Sequence, residues 1–133
     1  MEALKQAIVD ASNGASSLHT KKHAWNTILN AVAFDGDDPD SENLDFAVAN
    51  GLLDAIKKEI DSKEELNPLI GDSIFSVTTT LCLSVRNAKV TTESGLIPVL
   101  VKFIKSHFPS TFGSYALTSI TVSFDQELRK FND

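Results

Sequence analysis

The chain has 133 residues, 42% apolar and 23% charged, which suits one globular domain able to bury a core without disulfides or a metal. Its net charge of −6, from 12 Lys and Arg against 18 Asp and Glu, argues against nucleic acid as a partner: the basic pairs Lys21-Lys22, Lys57-Lys58 and Arg129-Lys130 are short and lie among acids. The single cysteine, Cys82 between Leu81 and Leu83, rules out an intrachain disulfide and fits a reducing compartment.

Apolar spacing predicts a first helix over Glu2 to Ser12, with Ala3, Leu4, Ala7, Ile8 and Ala11 in register and Asn13-Gly14 to end it. The opening Met1-Glu2-Ala3-Leu4-Lys5 has neither the basic nor the apolar stretch of a signal peptide. No run approaches the roughly 18 apolar residues of a membrane span, so the expectation is a cytoplasmic or nuclear protein with no membrane contact. A second helix is predicted from about Ser17 to Phe34, carrying Leu18, Trp25, Ile28, Leu29, Val32 and Ala33. Asp35-Gly36-Asp37-Asp38-Pro39-Asp40 breaks it.

Ser41 can cap a short third helix, Glu42 to Ala49, closed by Asn50-Gly51. A fourth follows with Leu52, Leu53, Ile56 and Ile60 on one face, and Ser62-Lys63-Glu64-Glu65 has the form of a capping box for the next element. Between Pro68 and Val85 two signals conflict. Ser76-Val77-Thr78-Thr79-Thr80 favours a strand by propensity, whereas Ile74, Val77, Leu81 and Val85 lie on a helical face, and packing outweighs propensity. Ala88 to Glu93 forms a short segment before Ser94-Gly95, and Pro98 falls in the first turn of a helix with Leu96, Ile97, Leu100, Val101 and Ile104. The last predicted helix, from about Pro109, carries Leu117, Ile120, Phe124, Leu128 and Phe131.

Two offsets relate these elements. Gly51-Leu52-Leu53 through Lys58 and Ser62 superimposes on Gly95-Leu96-Ile97 through Lys102 and Ser106 at 44 residues. At 49 residues Ala3, Leu4, Ala7 and Ala11 fall on Leu52, Leu53, Ile56 and Ile60, and Trp25, Ile28 and Val32 fall on Ile74, Val77 and Leu81. The order of a short helix, a Gly, an apolar helix, a loop and a longer apolar helix resembles armadillo repeats. Glu93-Ser94-Gly95-Leu96-Ile97-Pro98-Val99-Leu100-Val101 is similar to the opening of that family's second helix. Ala24-Trp25-Asn26-Thr27-Ile28-Leu29-Asn30 looks like a third helix.

The resemblance implies an all-α fold: a right-handed superhelical stack of about three armadillo-like repeats over 1–50, 51–94 and 95–133, in one domain covering 1–133. The first repeat lacks its short first helix, the acidic loop after it is long, and a Thr run stands where the family prefers Ala, Leu and Asn. The alternative is a non-repeat helical bundle.

The resemblance further implies a non-enzymatic module or adaptor that binds a protein or peptide on its third helices, with no cofactor. Asn30 takes the place of the family's Asn on the Trp-containing helix, one residue further from the Trp than usual, and Asn26 and Lys22 precede it by one turn each. Thr79 stands at the equivalent of Asn30 in the second repeat and Thr121 in the third, each lacking the paired donor and acceptor of an amide. The terminal repeat faces offer a route to self-association.

The second reading is a compact acidic helical bundle that binds and inhibits one specific protein, with Asp35, Asp37, Asp38, Asp40 and Glu42 meeting a basic partner surface. The same acids fail as a calcium loop, because Gly36 is misplaced, Pro39 replaces a ligand and no Glu closes the loop. His19 and His23, four apart, supply only two metal ligands and read as a solvated face. A third reading, an enzyme using Cys82 with His107 or the His pair, has nothing in the sequence to bring Cys82 and His107 together.

Overall fold

A computed structural model of the chain describes residues 2–32, 42–61 and 67–107. These are all-helical, with no strand among the described residues: α1 (Glu2–Ser12), α2 (Leu18–Val32), α3 (Glu42–Ala49), α4 (Leu52–Asp61), α5 (Pro68–Leu83), α6 (Val85–Glu93) and α7 (Leu96–His107). No helix among the described residues is long and apolar enough to cross a membrane.

The helices form because their apolar residues recur at helical spacing and find one another. Leu4, Ala7, Ile8 and Ala11 of α1 are buried, as are Ala24, Trp25, Ile28 and Val32 of α2. Leu44 and Ala47 of α3 and Leu52, Leu53, Ala55 and Ile56 of α4 join the same core. Ile70, Ile74, Val77 and Leu81 of α5 complete it with Leu96, Leu100 and Phe103 of α7. Helix α1 packs on α2 and α4, α4 also contacts α7, α2 contacts α5, and α6 touches α5 and α7.

In α5 the conflict between propensity and period is resolved in favour of the helix. Thr and other β-branched residues cost up to about 0.7 kcal/mol each against Ala in a helix. Each fully buried aliphatic side chain returns about 1.5–3 kcal/mol, and four of them line the inner face of α5. The Thr80 hydroxyl donates back to the Ser76 carbonyl at 3.3 Å, sparing one polar group. The Thr78 hydroxyl is buried without a hydrogen-bond partner.

Helix ends follow local chemistry. The α5 N-terminus is capped by Asn67, whose side chain accepts from the Leu69 amide at 3.0 Å, with Pro68 opening the helix. The capping-box residues 62–65 lie outside the described residues. Helix α5 also ends before Val85. Ser84 is extended and turns the chain, and its side chain accepts from the Asn87 amide at 3.3 Å, so Val85 opens α6. Gly51 and Gly95 are the described residues with positive φ, +100° and +78°, and each lies immediately before an apolar helix. A left-handed backbone there suits glycine because other residues crowd their own Cβ.

Polar bonds tie distant segments together. The Asn43 amide donates to the Ala31 carbonyl at 3.0 Å, joining the start of α3 to the end of α2. Asn87 on α6 donates to Asp45 on α3 at 3.0 Å. Lys57 on α4 donates to the Ser94 carbonyl just beyond α6 at 2.9 Å.

Candidate functional site

A groove of about 370 Å³ lies between α2 and α5. The α2 wall comprises Lys22, Asn26 and Leu29. This wall exists because Ala24, Trp25, Ile28 and Val32 turn one face of α2 into the core, leaving the flank about 100° around the helix at its edge. The α5 wall comprises Leu69 and Ile70 with Asp72, Ser73 and Ser76. Ile70 is buried at the base, whereas Leu69 is 61% exposed at the mouth, more than any other large apolar residue described.

The groove is charged on both sides. Lys22 on α2 and Asp72 on α5 form no ion pair with any described residue. Asn26 and Ser76 are exposed and make no described side-chain hydrogen bond, whereas the Ser73 hydroxyl donates to the Leu69 carbonyl at 3.1 Å. The groove therefore offers one cation, one anion, an amide with paired donor and acceptor, a hydroxyl and an apolar base.

Directly behind the α2 wall lies a buried polar cluster. Glu59 of α4 is 6% exposed, and its carboxylate accepts from the Trp25 indole N–H at 3.1 Å and from the Lys21 ammonium at 3.1 Å. Trp25 itself is fully buried. The cluster fixes the rotation of α2 about its axis, since Trp25 and Lys21 both reach the same carboxylate on α4. It thereby sets where Lys22 and Asn26 stand.

Of the residues singled out from sequence, Lys22 and Asn26 come together in the groove. Asn30 is exposed on α2, one turn beyond Asn26, and is not among the groove-lining residues. Thr79 lies on α5, with its side chain outside those described, and Thr121 is outside the described residues altogether. So are Asp35, Asp37, Asp38 and Asp40 and the last predicted helix with its terminal face, while Glu42 opens α3 in an exposed position. His19 and His23 are both exposed on α2. Among the described residues no group of three or more His, Cys, Asp or Glu side chains could hold a metal ion. Cys82 lies on α5 and His107 ends α7, the side chains of both being outside those described.

Sequence reasoning passed over the α5 wall and Glu59. Both carry a signal. Asp72 is the one charged residue of α5, and Ser73 and Ser76 interrupt its apolar pattern at a spacing of three. Glu59 falls three residues after Ile56 on the apolar face of α4, where an acid requires a partner. No protein-family model, curated protein or solved structure matches the chain.

Proposed function

We propose that the chain is a non-enzymatic protein-interaction module built as a short right-handed stack of armadillo-like repeats, and that it takes a protein or peptide partner in the α2–α5 groove. The observation that carries this reading is the groove itself. It lies between the two helices that the 49-residue offset makes equivalent, and two of the residues assigned to partner binding by the resemblance line it.

Contacts between equivalent helices support the stack. Helix α4 contacts α1 and α7, and α2 contacts α5, the neighbour relations of a three-helix repeat with its first helix missing from the first unit. Gly51 and Gly95, equivalent at the 44-residue offset, share a left-handed backbone. Asp45 and Asn87, on the short helices α3 and α6, are bonded to each other. In a stack of this kind an extended partner segment would find the Asn26 amide as donor and acceptor for its backbone.

The test is comparative capture from cell extract with native protein and a Lys22→Glu/Asn26→Glu variant whose helicity and urea midpoint match the native protein. A partner that binds the native protein directly and is lost from the variant supports the groove. A direct partner held equally by both places binding elsewhere and leaves the groove without this role.

A further inference from the structure

The groove's walls specify more than a generic peptide. We infer that its occupant is an extended segment of a partner protein carrying an apolar anchor between one acidic and one basic side chain, the acid meeting Lys22 and the base meeting Asp72. This rests on the α2–α5 groove being the binding face.

Charge is the first argument. Helix α2 contains Lys21 and Lys22 and no acid, and α5 contains Asp72 and no base. Lys21 is held by Glu59. What remains facing the groove is one positive charge on one wall and one negative charge on the other, neither in an ion pair with a described residue. A segment of a single sign would satisfy one wall and be repelled by the other, so complementarity selects a bipolar occupant. Anionic polymers and anionic lipid surfaces are disfavoured for the same reason, since Asp72 stands where they would have to lie.

Shape and polarity supply the second. At about 370 Å³ the groove is near the small end of ligand pockets, roughly 300–1,000 Å³. A groove of this size seats a few side chains, and the Asn26 amide and the Ser76 hydroxyl beside it can pair with the open backbone groups of an extended segment, which a helix has already used internally. Leu29 and Ile70 form an apolar base beneath the 61% exposed Leu69. An aliphatic side chain set between them would remove apolar surface from water on three sides.

The experiment uses the full chain and short fluorescein-labelled peptides read by anisotropy. Each peptide has a central Leu-Leu. The flanks are Glu then Lys, Lys then Glu, Glu on both sides, Lys on both sides, or Ser on both sides. One of the two bipolar orders is expected to bind about fivefold or more tightly than either single-sign peptide, the yield of a partly exposed charge contact. Lys22→Met should erase the preference for the acidic flank and Asp72→Asn that for the basic flank, each lowering affinity for the bipolar peptide part of the way toward that of the Ser-flanked one, and the two together bringing it there.

Single-sign peptides binding as well as the bipolar ones would overturn the inference. If the Ser-flanked peptide binds equally well and Leu29→Ser abolishes it, the groove remains a binding face and only the charge assignment falls. If no peptide binds, or if sedimentation shows a dimer dispersed by Leu69→Ser, the bipolar occupant is refuted, the dimer assigning the groove to a second copy of the chain.

Discussion

Glu59→Leu removes the acceptor shared by Trp25 and Lys21, and its cost can be worked from the cluster. The indole N–H donates at 3.1 Å from a fully buried Trp25 and would be left unsatisfied, a loss of about 1–3 kcal/mol. The Lys21 ammonium loses its partner, but its side chain is 20% exposed against 5% for Glu59. Lys21 can turn toward water, so this part adds less than about 1 kcal/mol. The sum is about 2–3 kcal/mol, a substantial share of the roughly 5–15 kcal/mol that holds a domain together. Glu59→Gln keeps an oxygen for the indole and surrenders only the charge, for about 1 kcal/mol, the difference between a charged and a neutral acceptor. Urea denaturation followed by fluorescence of Trp25, the single Trp of the chain, measures both. The reasoning fails if Glu59→Leu costs no more than a surface substitution, about 0.5 kcal/mol, or if Gln and Leu are equally damaging.

Gly51→Ala and Gly95→Ala should each lower stability by about 1–2 kcal/mol through the left-handed backbone alone, since an added Cβ would meet its nearest neighbour at 3.9 Å and 4.0 Å, ordinary contact distances. Gly14→Ala, with open space around it and no positive φ, is the matched control and should leave the thermal midpoint unchanged. Asn67→Ala deletes the cap on α5 and should cost about 1 kcal/mol in urea titration, with Asn67→Asp restoring most of it. Thr78→Val replaces an unpartnered buried hydroxyl with a methyl of similar shape and should raise stability by about 1 kcal/mol; a loss of that size would mean the hydroxyl has a partner.

The helical fold was legible because most of its helices repeat a strong apolar period. Helices α1 and α3 fall on the expected residues, and α2 and α4 match wherever they are described. The sequence was least legible where period and local chemistry compete. The aliphatic spacing of α5 continues through Val85 in the sequence, yet Ser84 supplies both an exit from α5 and a cap for α6. Spacing alone does not register a residue whose backbone N–H closes one helix, on the Leu81 carbonyl, while its side chain caps the next.

The groove was half legible, for a geometric reason. Residues equivalent by the 49-residue offset point the same way from α2 and α5, so carrying Lys22 and Asn26 forward reaches Gly71 and Phe75. A groove between two neighbouring helices is walled by the flanks that face each other across it. The α5 wall therefore comes from Leu69, Asp72, Ser73 and Ser76, a rotated set that no repeat alignment returns.

Lys21 and Lys22 are adjacent identical residues with different surroundings. Consecutive positions on a helix diverge by about 100°, which aims Lys21 at Glu59 and leaves Lys22 on the groove wall. Lys21→Met should lower the urea midpoint, because Glu59 would stay buried with only the indole N–H to meet its charge, a loss of about 1–2 kcal/mol. Lys22→Met should leave the midpoint within about 0.5 kcal/mol of native and change only partner affinity. If the two variants lost stability equally, Lys22 would be part of the scaffold and its charge could not be assigned to a ligand. If Lys21→Met weakened binding while Lys22→Met did not, the cluster would act on partners through the placement of α2, and the groove's cation would have no direct role. The predicted pattern, stability lost at one lysine and affinity at its neighbour, requires both the rotation of α2 set by Trp25 and Glu59 and a ligand lying against Lys22.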